Sequence, residues 1–265
     1  MKPISLEAVT VSLPDLHVVS LRYALGTSDH CSYVNPPALE FETEDARFRL
    51  AVGELTCEMK THFSTAEDAR TVVEPILRAW ETDADLRLTR GELRFKFDGA
   101  EIIDRSPTPS GVVRAMAIGV GAASATGTVF VHVTRGQYPD PPSSFRLNPD
   151  AQSILDRFCG YLDGHEPLLA MAYFCVTVLE QNAGGRSRRS RASARYRIDK
   201  KVLDTMGTLT SKHGDHLSAR KASATHPLTG SESAWLEAAV KKLIWQLGTP
   251  EAARSSITMS DLPAL

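Results

Sequence analysis

Two residues in the last quarter of the chain have the types and spacing to do chemistry. In "SARKASATHPLTGSESAWLEAAVKKLI", residues 218–244, Arg220 precedes His226 by five intervening residues, and an amphipathic stretch follows at once. An imidazole with an ordinary pKa near ~6.5 exchanges protons readily at neutral pH. A guanidinium offers two parallel donors to anionic oxygens, and Lys221, directly after the arginine, is a second cation that suits a phosphate. Among 21 arginines and eight histidines such a spacing recurs by chance, so its weight rests on its setting.

A basic segment lies upstream. "RSRRSRASARYRIDKK", residues 186–201, holds eight basic side chains and one acid. One reading makes it the electrostatic footprint for RNA phosphates through Arg186, Arg188, Arg189, Arg191, Arg195 and Arg197, with Tyr196 available to stack on a base; the other is a flexible, solvated loop, since "NAGGRSRRS" has almost nothing to bury. His213, Asp215, His216 and His226 also gather in this region. Gly214 separates the first two histidines and no second ligand pair has defined spacing, so no metal site is assigned.

The elements that must position these residues are helical. Asn148 as N-cap and Pro149 at the first turn open a helix carrying Ile154, Leu155, Phe158, Tyr161 and Leu162. "PLLAMAYFCVTVLE" is apolar nearly all round, the mark of a helix buried in a bundle, and Glu180 closes it. A third helix covers roughly 198–212. The fourth runs from about 230 to 247 behind a capping box of Thr229 and Glu232, with an apolar stripe from Trp235 to Leu247.

This arrangement resembles the HEPN superfamily (higher eukaryotes and prokaryotes nucleotide-binding). Its members are small bundles of four to five helices, and many are ribonucleases of defence and toxin systems. Their mark is Arg, four to six residues, then His, leading into the last long helix; here "RKASATH" leads into "SESAWLEAAVKKLIWQL". Family members often have Asn where this chain has Lys221 and Gly where it has Pro227. The resemblance covers residues 148–250. It implies metal-independent RNA cleavage without a cofactor, with His226 as general acid or base and Arg220 stabilising the transition state. It also implies a homodimer in which two protomers bring their motifs together. The alternative is a non-catalytic interaction or sensor protein whose bundle supplies a dimer or partner surface.

The first half reads as β-rich. "LEFETEDARFRLAVG" alternates Leu39, Phe41, Phe48, Leu50 and Val52 around an acidic turn, and "ELTCEMKTHF" continues the period of two. Ser64 and Glu67 form a capping box for a helix through Val73, Leu77 and Trp80, with a bend expected at Pro75. "GELRFKFDGAEII" predicts a hairpin turning at Asp98-Gly99. "VVRAMAIGVG" and "TGTVFVHVTR" supply two more strands, joined by residues 119–128.

The predicted class is therefore α+β. An antiparallel β-rich domain with one covering helix (1–135) is followed by a Pro-rich linker (136–147), a bundle of about four helices (148–250) and a C-terminal tail (251–265).

Bulk properties set the bounds. The chain has 265 residues, 42% hydrophobic and 23% charged, as in an ordinary globular protein. Its net charge of −2 conceals a concentration of 11 Lys or Arg against three Asp over residues 186–221. Such a concentration attracts phosphates or acidic partners. No apolar run is long enough to span a membrane. Four scattered cysteines without C-x-x-C, and an N-terminus without an apolar signal core, predict a cytoplasmic protein with reduced thiols. No phosphate loop, nucleophile elbow or H-E-x-x-H is present.

Overall fold

The computed structural model describes residues 14–106, 116–119, 132–184, 187–212 and 227–265. The chain divides into two compact units, one ending at Pro141 and the other beginning at Pro142.

The first unit is an antiparallel sheet with a helix over one face. Its strands are β1 (Leu16–Gly26), β3 (Leu39–Glu42), β4 (Ala46–Ala51), β5 (Glu54–Met59), β6 (Arg94–Asp104) and β7 (Met116–Gly119), in the order β3-β4-β5-β1-β6-β7. Alternation places Ala46, Phe48 and Leu50 of β4 and Leu55, Cys57 and Met59 of β5 in the core. The intervening residues carry charge to the other face, where Arg49 pairs with Glu40 at 3.0 Å and Lys60 with Glu42 at 2.6 Å. A smaller ladder, β2 (Cys31–Tyr33) with β8 (Val133–Arg135), runs parallel. Here Arg135 reaches the fully buried carboxylate of Glu92.

The covering helix α1 spans Ala66–Arg87 and runs on through Pro75. Its N-cap is Thr65, one residue later than the predicted Ser64, and the Thr65 hydroxyl accepts from the Asp68 N–H. Trp80 is fully buried against Phe41 and Phe95, and its indole N–H donates to the Pro139 carbonyl at 2.9 Å.

Two sequence expectations fail here, and one strand falls outside them. The central strand β1 was not among the predicted strands, although Val19, Leu21, Tyr23 and Leu25 alternate with Ser20, Arg22 and Ala24; the bulge at Val19 interrupts only the start of that pattern. Asp98-Gly99 is not a turn: β6 runs straight through it, and the register against β1 steps from Gly99 to Phe97, leaving Asp98 as a bulge. Val52 does not point inward. It sits at the β4–β5 turn with φ 51°, and Gly53 follows at φ 76°. Most of the predicted connection 119–128 lies outside the described residues.

Among the described residues the second unit has five α-helices, in keeping with the expected bundle of about four: α2 (Pro149–Leu162), α3 (Leu168–Ala183), α4 (Arg188–Tyr196), α5 (Lys200–Lys212) and α6 (Gly230–Gly248). The apolar α3 touches the other four helices, which explains why it lacks a polar face. Asn148 caps α2, and the Thr229–Glu232 box caps α6.

The segment between the two predicted domains is fastened at both ends. Tyr138 is buried in the first unit. In the second, Phe145 stacks on Trp245 with centroids 4.8 Å apart, and the Asn148 amide donates to the Leu247 carbonyl at 2.7 Å. The predicted tail is also built in. Ile257 forms a parallel bridge with Ile198 and is buried, as is Leu262.

Candidate nucleic-acid interface

The basic segment read as a loop folds largely as helix α4. Arginine and alanine are good helix formers, and Ala192 and Tyr196, four apart, bury one side of it. Arg197 closes the helix in the left-handed conformation, its N–H bonded to the Ala194 and Ser193 carbonyls.

Two apolar anchors at this spacing sort the arginines by direction. Arg188, Arg191 and Arg195, at i, i+3 and i+7, fall within roughly 60° of one another around the axis, and all three are exposed. Arg188 and Arg191 have no ion pair or side-chain hydrogen bond with another described residue. Arg195 donates to the Asn182 carbonyl at 2.5 Å and keeps its exposed position on the stripe. No acid lies within α4 to neutralise them. The element therefore presents a short cationic ridge, suited to successive phosphates of a nucleic acid strand.

The remaining predicted contacts serve the fold. Tyr196 is 3% exposed, so its ring is not available to stack on a base, contrary to the sequence expectation. The Arg254 guanidinium lies 5.2 Å from that ring, and the Tyr196 carbonyl accepts from the Gln246 amide at 2.5 Å. Arg197 donates to the Arg254 carbonyl at 2.8 Å.

Arg189 turns inward. Its Nε donates to Glu180 at 2.6 Å, and its Nη1 lies 3.4 Å from Asp204. A hydrogen bond from Lys200 leads the effects that hold the Asp204 carboxyl below its ordinary range, outweighing burial, and Arg189 adds to it. A methyl group on Gly207 would stand 2.7 Å from Arg189 Nη1, so the guanidinium would have to shift to admit it. Beside this pair is a cleft of about 520 Å³ between α3, α4 and α5, lined by Tyr173, Thr177, Thr208 and Ser211. Arg189, the cation among the described lining residues, is thus shared between two carboxylates.

Arg186, Arg220, Lys221 and His226 lie outside the described residues. His226 precedes Pro227 and, three residues on, the Gly230 start of α6, whose cap is formed. Among the described residues no group of three or more His, Cys, Asp or Glu could hold a metal ion. No described helix is long and apolar enough to cross a membrane. None of the four cysteines is in a disulfide. No family model, curated protein or solved structure matches the chain.

Sequence reasoning found the arginines and missed their arrangement. The signal was present in the Ala192–Tyr196 pair and in the 3-and-4 spacing of Arg188, Arg191 and Arg195. The loop reading came from how little "NAGGRSRRS" has to bury.

Proposed function

We propose that the helical unit binds RNA along the arginine stripe of α4 and that Arg220 and His226 cleave it without a metal. The observation that carries this reading is the exposed alignment of Arg188, Arg191 and Arg195 on an element free of acids. A capped terminal helix immediately after the Arg–His pair, in a unit of five helices, supports the resemblance to HEPN ribonucleases. In such a site His226 moves the proton of a 2′-hydroxyl, and Arg220 offsets charge on the phosphorane. A homodimer would place two such pairs together.

The test uses the full chain and total RNA. Cleavage is expected from the natural protein and is expected to vanish in His226→Ala, while RNA binding remains. The double variant R188Q/R191Q is expected to bind more weakly and to flatten the salt dependence of log K by about 1.4, near ~0.7 per lost contact to a single strand. Equal cleavage by the natural protein and His226→Ala, or none by either, removes the catalytic part. An unchanged salt slope removes the interface. Sedimentation of the same samples reads the oligomeric state.

A further inference from the structure

A pair of histidines in the first unit is held in an unusual way. His17, on β1, is 5% exposed, and His62 lies beyond the end of β5 with its side chain 51% exposed. Their Nδ1 atoms are 3.2 Å apart. Their planes are within 10° of parallel, and their centroids are 5.3 Å apart. That separation nearly equals the nitrogen contact plus the two distances from centroid to nitrogen. The rings therefore meet edge to edge in a common plane, with the two Nδ1 atoms facing each other. Such a contact requires one proton between the two nitrogens, so one ring donates and the other accepts.

The charged surroundings are unequal. Asp15 lies ahead of β1, with Oδ1 3.9 Å from His62 Nε2, the ring nitrogen remote from the contact. Arg105 follows β6, and its charge acts on His17. Asp104 is occupied by the Asp15 backbone N–H at 3.1 Å. Burial, then Arg105 and His62, hold His17 below the ordinary histidine value, against the opposing pull of Asp15. Beside the pair the Val18 N–H donates to the Phe63 carbonyl at 2.8 Å, tying the segment after β5 to the start of β1.

We propose that His17 and His62 form a proton-gated latch, closed while a single proton lies between the two Nδ1 atoms and opened when both carry one. The neutral pair contains one N–H···N bond. A first added proton leaves that bond in place and makes it charge-assisted, with the charge towards Asp15 and solvent. A second added proton puts an N–H on each Nδ1, and the facing donors repel. The contact is then lost, and the Val18–Phe63 bond with it. Because the folded value of His17 is depressed, the stabilisation is complete above the unfolded histidine value and is lost as pH falls through the folded one.

The experiment is an NMR titration of the imidazoles in the full chain between about pH 8 and pH 4, with amide exchange read at Val18. Two separated steps are expected, the acid one coinciding with increased opening at Val18 after correction for intrinsic exchange. In His62→Ala, a change at a half-exposed side chain, His17 is expected to titrate higher than in the natural protein, with no coincident opening. Independent titration of the two rings, with His17 unmoved in His62→Ala, overturns the latch. So does stoichiometric binding of Zn²⁺, added alone near neutral pH, that abolishes both titrations, since the nitrogens would then serve a metal.

Discussion

Val52 shows most sharply what one residue can cost. It is 97% exposed at the tip of the β4–β5 hairpin, in a left-handed conformation that β-branched side chains strongly disfavour. With Gly53 also at positive φ, the pair has the backbone of the two-residue turns whose twist suits a hairpin, and Asn-Gly is the favoured sequence there. Val52→Asn is therefore expected to stabilise the protein by about 1 kcal/mol, seen as a higher urea midpoint at unchanged slope. A lower midpoint would mean that the valine makes a contact its exposure does not reveal. The alternation that places Phe48 and Leu50 in the core fails at Val52 because the strand has ended. Period-two patterning carries no mark of where a two-residue turn closes.

The same limit acts on whole elements. Asp98-Gly99 has the composition of a hairpin turn, yet it lies in the middle of an 11-residue strand. Both long strands carry a bulge; in β6 it shifts the apolar phase between Phe97 and Ala100, whereas the alternation of β1 from Val19 to Leu25 was present in the sequence and unread. Helix α4 was hidden differently, since its anchors are only Ala192 and Tyr196 and the rest is polar. The well-patterned helices α2, α3 and α6 were legible from caps and apolar spacing.

Packing at the end of α6 gives a prediction at this scale. A methyl group on Gly248 would stand 2.3 Å from the buried Phe145 ring and 2.8 Å from the Arg146 carbonyl. Gly248→Ala is expected to destabilise the helical unit by about 1–3 kcal/mol, the usual range for overpacking, measured by denaturant unfolding. A neutral effect would show that residues 145–146 yield easily.

At the scale of the molecule, each unit has its own core. The first gathers β4, β5 and β1 under Trp80, and the second surrounds α3 with four helices. The Pro-rich segment divides accordingly, with Tyr138 and Pro139 bonded into one unit and Phe145 and Asn148 into the other. Residues 142–265 expressed alone are expected to unfold in one cooperative transition with a helical circular dichroism spectrum. A broad, non-cooperative loss of signal would show that this unit does not fold by itself.

The sequence by itself determined the α+β class, the order of sheet and bundle, and the strongly amphipathic helices. Those properties are local: they depend on spacing along one element and on the residues that cap it. It also located a charge concentration without telling which cations face outward. Tertiary structure decided that, because direction depends on which side of α4 is buried against its neighbours. Tertiary structure also brought His17 to His62 across 45 residues and fastened Arg254 beneath Tyr196. Contacts between residues so far apart in the chain leave no periodicity in it, and only the folded packing brings them together.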